Sequence, residues 1–343
     1  MDELIKKAAD FLKRIKQKDG IIIVFNNDLD GMCSCVMIKK YLSKIGNNPY
    51  IISQPMPPDK NLIRRMQSGI SNKVIFLDMA IDQSTVLVKK IKGMGELLII
   101  DHHLVSQNLN SRGIVHCNPR IKTPGIYQST SYVVHKILGE LENTEELDWI
   151  AALGAIADYD LSSSQDLVKK IQKRYDIGKL HKIVAILASL KATRTMTCEK
   201  TVDALMAIKE PENILETEEF IRSYQEIENE KQGVMINTQS DTKVNCNIVL
   251  YEIKSKYNIR SEISTRLAEK YKDKIVIVYE KIGKKINASV RCQTRKFNVD
   301  SALKKASANL NASAGGHEAA GGITIDEKDW SQFIDNLLAL VNQ

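Results

Sequence analysis

The chain has 343 residues, 49 basic against 42 acidic for a formal net charge of +7, with 43% in the broad hydrophobic set and 6% aromatic. At ~150 residues per domain, that length predicts two domains or one large one, with enough chain to bury a core without disulfides or a structural metal. So small a basic excess excludes a histone-like or ribosomal-tail character while permitting a polyanionic partner.

No apolar run approaches the ~18 to 20 residues of a transmembrane helix, so no membrane association is expected. The opening Met1-Asp2-Glu3-Leu4-Ile5 reads as an amphipathic helix rather than a secretory leader. Six cysteines, at 33, 35, 117, 198, 246 and 292, are scattered without zinc spacing. Reduced, mostly buried thiols in a cytoplasmic protein are expected.

The first half alternates β-rich runs with helical stretches. Ile21 to Phe25 is a continuous apolar run, too short for a helix and rich in branched residues, and Val74 to Leu77 and Leu97 to Ile100 share its character. Cys33 to Ile45, Leu62 to Ser68 and Gln83 to Lys92 read as helices between them. Unbroken apolar strands alternating with helices imply a parallel sheet buried on both faces. Residues 1–190 are therefore expected to form an open α/β domain.

The strand signal then vanishes, and 191–245 reads as a helical connector. Thr201 to Lys209 and Glu218 to Lys231 are its helices, with a break at Pro211 and a flexible joint over Gly233 to Lys243. Strands return at Ile248 to Tyr251, Ile275 to Tyr279 and Ile286 to Val290, accompanied by helices Glu262 to Tyr271 and Trp330 to Val341. Residues 246–343 thus form a second, smaller α/β domain, with a cleft expected between the two.

Ligands of open parallel sheets bind outside the carboxyl ends of the strands. The first strand runs into Asn26-Asn27-Asp28-Leu29-Asp30-Gly31, the second ends in Asp78, and the third in Asp101-His102-His103. An apolar helix, Ile150 to Ala157, leads to Asp158, with Asp160 just beyond. A lone aspartate in such a place is most often a turn or helix-capping residue. Here, however, oxygen and imidazole donors converge on one sheet edge, as a two-metal site needs.

These residues carry a resemblance. Asp28-Leu29-Asp30-Gly31, Asp78, Asp101-His102-His103 and Asp158 resemble the ordered motifs of the DHH phosphoesterase superfamily. Gly315-Gly316-His317-Glu318-Ala319-Ala320-Gly321 resembles the glycine signature of the DHH-associated C-terminal domain, and Ser289-Val290-Arg291 the strand before it. Asn118-Pro119 also recurs in RecJ-type members, and the whole resembles the short archaeal RecJ-like proteins.

The resemblance implies that Asp28 ligates one metal and Asp30 the other, with Asp78 bridging and His102 and Asp158 completing the ligands of the second ion. His103 then faces the phosphate, with Asp101 orienting an imidazole. The ligand chemistry suits two divalent cations, Mn²⁺ or Mg²⁺. Ser289, Arg291, Gly315, Gly316 and His317 are implied to grip substrate. The acid-free stretch 281–296, which includes Arg295 and Lys296, is a candidate nucleic-acid track.

One position departs from the family: its first motif usually opens with histidine, and Asn26 stands there. A neutral amide is a poorer ligand than imidazole, so a weakened first metal site is expected. The implied activity is a metal-dependent phosphodiesterase, a single-strand-specific RecJ-like exonuclease on DNA or RNA in replication or repair. Two alternatives stand beside it. One is a nanoRNase acting on short oligonucleotides or adenosine bisphosphate. The other is a weak or inactive replication scaffold that binds GINS or single strands, as the RecJ-like subunit of the eukaryotic replicative helicase resembles a nuclease without being one.

Overall fold

A computed structural model of the chain describes residues 2–56, 58–59, 61–67, 71–160, 162–294, 296–316 and 318–342, the side chain of Thr85 apart. Five strands form a parallel sheet: β1 (Ile21–Asn26), β2 (Tyr50–Gln54), β3 (Lys73–Leu77), β4 (Glu96–Ile100) and β5 (Ile114–Cys117), in the order β2-β1-β3-β4-β5. The three apolar runs are its central strands, and the sheet is parallel throughout, as the alternation predicts.

Successive side chains point to opposite faces of a strand, which accounts for the unbroken apolar runs. Ile23, Phe25, Ile75, Leu77, Leu98 and Ile100 pack with the helices Leu29–Lys44, Thr130–Gly139 and Asp148–Ala157. Ile22, Val24, Val74, Phe76, Leu97 and Ile99 pack on the other face with Leu62, Met66, Leu87, Val88 and Ile91. The helix that begins at Leu62 runs to Gln67; Ser68 lies outside the described residues.

Six strands make a second, mixed sheet: β6 (Lys243–Asn245), β7 (Ile248–Glu252), β8 (Ile275–Ile282), β9 (Lys285–Arg291), β10 (Ala312–Gly316) and β11 (Ala320–Asp326). Their order is β10-β11-β9-β8-β7-β6, antiparallel except for the β7–β8 pair. One face buries Ile275, Ile277, Ile286, Ala288, Val290, Ile323 and Ile325 against the helices Val299–Ala306 and Trp330–Val341.

The chain divides into two compact units, Met1–Tyr224 and Gln225–Gln343, with the division inside the helix Glu218–Asp241. That helix corrects the expected joint at Gly233 to Lys243, since it continues unbroken to Asp241. A glycine costs an interior helix about 1 kcal/mol. The buried stripe of Ile227, Val234 and Thr238, at helical spacing, outweighs that penalty. Among the described residues no helix is long and apolar enough to cross a membrane.

Candidate metal centre

The motif aspartates sit where backbone groups hold them. Asp28 caps the helix Leu29–Lys44, its Oδ1 accepting from Gly31 N at 2.9 Å. Gly31 is glycine for a steric reason: a Cβ there would lie 2.3 Å from the carbonyl oxygen of Asn26. Asp30 points toward the start of the helix Thr130–Gly139, where the Thr130 and Ser131 amides donate to its two oxygens at 2.7 and 2.9 Å. A helix N-terminus is well matched to a carboxylate. Behind it, a Cβ on Gly154 would meet Ser131 Oγ at 2.3 Å and Asp30 Oδ1 at 2.9 Å.

Asp78 leaves β3 with φ +59°, a left-handed conformation that strains a non-glycine residue by about 1–3 kcal/mol. Its amide is tied to the Ile100 carbonyl at 2.9 Å. The turn aims its carboxylate at three donors: Asn26 Nδ2 at 3.1 Å, Thr130 Oγ1 at 3.0 Å and His102 Nε2 at 3.2 Å. His102 Nδ1 lies 3.6 Å from Asp158 Oδ2 and is buried with no hydrogen-bond partner among the described residues. Asp158 ends the helix Asp148–Ala157 and accepts from Tyr127 Oη at 2.7 Å.

His103 donates from Nδ1 to Asp101 Oδ1 at 2.7 Å, and its side chain keeps 36% of its surface exposed. Asn118 Nδ2 donates to the His103 carbonyl at 3.0 Å and lies 3.4 Å from Asp101 Oδ2. The imidazole is therefore fixed from behind, with its remaining nitrogen left over.

The electrostatics call for cations. Among the described residues no lysine or arginine pairs with Asp28, Asp30, Asp78 or Asp158; His102 alone pairs with Asp78 and Asp158. Burial, with the neighbouring Asp78 and Asp30 charges, pushes Asp28 well above the usual carboxylate range. Burial and the Asp78 and Asp158 charges push Asp30 up to about 7. Burial also raises Asp158. Asp78 goes the other way: burial opposes its charge, but the hydrogen bond and charge of His102 outweigh it.

Two groups of three donors lie close enough to hold an ion, Asp78 with His102 and His103, and Asp30 with His102 and Asp158. Within each, the ligand atoms all lie within 4.8 Å of one another. The unpartnered imidazole nitrogen and the unneutralised carboxylates fit a hard divalent cation, with no cysteine in either group.

Asn26 is 7% exposed and takes part as a donor. Its Nδ2 bridges Asp28 Oδ2 at 2.5 Å and Asp78 Oδ2 at 3.1 Å. Asp160 stands apart from the cluster, accepting from the backbone of Ser129 at 2.8 Å and of Ser163 at 3.2 Å. Tyr127, Thr130, Ser131 and Gly154 belong to the site and were not legible as site residues. Only the polar run Ser129-Thr130-Ser131 before an apolar helix offered a signal, that of a helix start.

In the second unit, Ser289, Gly322 and Gly315 lie side by side across β9, β11 and β10. Gly316 has no room for a Cβ, which would lie 2.3 Å from the Ala320 carbonyl oxygen, and its amide donates to Asp300 Oδ1 at 3.0 Å. Gly315 and Gly322 have no such obstruction, so their bareness leaves the strand backbone open to a ligand. Arg291 is anchored by Ser261 Oγ at 2.7 Å and by the Val290 carbonyl at 2.9 Å. His317 and Arg295 lie outside the described residues.

The basic stretch 281–296 is not one patch. β9 sets Lys285 and Arg291 at opposite ends of about 20 Å of strand, with Lys281 beside the Lys285 end. Lys281 pairs with Glu327 at 3.2 Å, and Lys296 lies 5.2 Å from the Phe297 ring centroid.

Residues 20–157 match the N-terminal domain of the DHH family, and residues 245–343 match the DHHA1 domain. No curated protein matches the chain. Among solved structures it is similar to the exonuclease RecJ bound to manganese, at 17% identity and TM-score 0.73, covering 99% of this chain and 94% of that one. It is similar to RecJ from Thermus thermophilus in complex with Mn²⁺, at 17% identity and TM-score 0.75, covering 98% of this chain and 54% of that one. CDC45 from Entamoeba histolytica matches at 11% identity and TM-score 0.55, covering 100% of this chain and 98% of that one. At these identities the likeness is one of fold.

Proposed function

Because the chain belongs to the DHH phosphoesterase superfamily, we propose that it is a divalent-metal-dependent phosphodiesterase, a RecJ-like exonuclease on single-stranded DNA or RNA. The observation that carries this reading is the gathering of Asp28, Asp30, Asp78, His102 and Asp158 with no lysine or arginine to neutralise them among the described residues. Two cations, Mn²⁺ or Mg²⁺, are the proposed occupants, with Asp30, His102 and Asp158 on one side, Asp28 on the other and Asp78 between. Bound there, such ions neutralise a phosphate and lower the pKa of a coordinated water.

The chain's own groups do the rest. His103, with Asp101 and Asn118 behind it, presents one imidazole nitrogen for a phosphate oxygen. Asp101 is the positioning residue that fixes the ring. In residues 246–343 the Ser289–Gly322–Gly315 row and Arg291 are proposed to hold the substrate backbone through phosphate contacts.

The test is decay of end-labelled single-stranded DNA and RNA in Mn²⁺ or Mg²⁺. Wild type shortens them and Asp30→Ala loses at least about 100-fold, the scale of a removed transition-state contact. Identical decay by the two proteins refutes the hydrolase. Substrate length separates the nanoRNase, which stalls beyond a few nucleotides.

A second reading is favoured by Asn26 itself, whose amide bridges Asp28 and Asp78 where an ion is proposed. It makes the protein a replication scaffold that binds single strands or GINS without cutting. Single-strand binding with no turnover in either metal supports it.

A further inference from the structure

Beside the metal centre lies a pocket of about 300 Å³, lined by Leu104, Val105, Asn108, Arg120, Ile121 and Pro124. Leu104 and Val105 directly follow His102-His103, so the pocket begins where the motif ends. Its far wall is tied to the same centre. The Arg120 guanidinium lies 5.6 Å from the Tyr127 ring centroid. The Tyr127 hydroxyl donates to Asp158 at 2.7 Å, and its ring meets His102 edge-on at 5.2 Å between centroids.

Two features of this pocket have no structural explanation within the fold. Leu104 keeps 66% of its surface in water although it stands among apolar neighbours. Arg120 Nε is buried with no hydrogen-bond partner among the described residues. A planar cation stacked on an aromatic ring is already oriented and loses little entropy on binding. Four apolar residues, one asparagine whose Oδ1 is taken up by Asn110, one flat cation and a volume at the small end of ligand sites describe a receptor for one flat heteroaromatic group.

We propose that this pocket receives the nucleobase of the nucleotide whose phosphate lies at the metal centre, with Arg120 as its stacking platform and Leu104 as its apolar cover. The ligand class rests on the phosphodiesterase reading; the pocket is built from its own residues. Base stacking on such a surface is indifferent to sequence, because every base has a π-face. The site thus sets register along the strand rather than choosing a base.

The test is calorimetric binding, in Mn²⁺, of adenosine 5′- or 3′-monophosphate, whichever binds tighter, against ribose 5-phosphate. Both nucleotides are product-like, so binding is read without turnover. Wild type binds the nucleotide at least about tenfold tighter than the sugar phosphate, the scale of one base stack. Arg120→Ala and Arg120→Lys each lose about that factor for the nucleotide and leave ribose 5-phosphate unchanged, since lysine keeps the charge and not the plane.

Leu104→Ser, on an exposed side chain that folding does not need, loses about threefold for the nucleotide alone. The proposal falls if all three variants bind the nucleotide as wild type does, or if wild type holds ribose 5-phosphate as tightly. A wild type that cuts no oligonucleotide yet loses nucleotide binding in Arg120→Ala refutes the hydrolase and supports the pocket.

Discussion

Replacing Asn26 with histidine tests what the first motif position does. The amide gives both its N–H groups to carboxylates, at 2.5 Å to Asp28 and 3.1 Å to Asp78. A hydrogen bond to a charged group contributes about 1.5–3 kcal/mol. Histidine offers one N–H in the same direction, so Asn26→His costs the metal-free protein one such bond. At about 2–4 °C per kcal/mol for a unit of this size, the midpoint falls by about 3–12 °C.

A cation between Asp28 and Asp78 displaces the wild-type amide and forfeits those bonds. In the variant it forfeits one fewer and gains an imidazole ligand. Since 1.4 kcal/mol is a factor of ten, Mn²⁺ binds at least about tenfold tighter. Saturating Mn²⁺ then restores at least about 1.4 kcal/mol more stability than in wild type. Thermal unfolding with and without Mn²⁺, beside a calorimetric titration, reads both. A lower midpoint with an unchanged Mn²⁺ increment refutes the reasoning, because it means position 26 is packing and does not face an ion.

Gly154→Ala places a methyl 2.3 Å from Ser131 Oγ and 2.9 Å from Asp30 Oδ1. Overpacking of this kind costs about 1–3 kcal/mol, and moving Asp30 weakens Mn²⁺ binding in the same protein; denaturant unfolding and a Mn²⁺ titration detect the pair. His116 is fully buried, its Nδ1 accepts the Leu109 amide at 3.3 Å, and burial holds its pKa below the ordinary histidine value against the Asp82 and Asp101 charges. The folded state keeps it neutral while the unfolded chain protonates near pH 6.5, so stability is full above that pH and falls as pH drops below it. The slope reaches at most about 1.4 kcal/mol per pH unit. His116→Asn, which keeps an acceptor and cannot titrate, flattens the slope between pH 7.5 and 5 in urea unfolding; an unchanged slope refutes the assignment.

The central sheet was legible because burial on both faces writes itself as unbroken apolar runs, which β1, β3 and β4 display. Its flanking strands were not. β2 reads Tyr50-Ile51-Ile52-Ser53-Gln54, with an exposed first residue, and β5 is four residues long with a histidine inside. Edge strands need fewer apolar residues, so their pattern fades into that of a loop. β10 and β11 fade further, since glycine carries no hydrophobic signal and their pairing is set by partners distant in sequence.

The same distinction runs through the metal centre. Asp28, Asp30, Asp78 and His102 were readable because each follows a strand whose end the apolar pattern marks. Tyr127, Thr130 and Ser131 reach that centre from a loop and a helix start about 100 residues from Asp30 in sequence. They act through two backbone amides and two hydroxyls, Tyr127 Oη and Thr130 Oγ1, groups that almost any sequence supplies. A donor is identified by the carboxylate it meets. That meeting is made by the packing of the helix Thr130–Gly139 against Leu29–Lys44, and packing has no local sequence pattern. Asn26 belongs with the strand-end residues in position and with the donors in chemistry. Its identity was therefore readable as a departure, while what it does instead of ligating became visible only with Asp28 and Asp78 beside it.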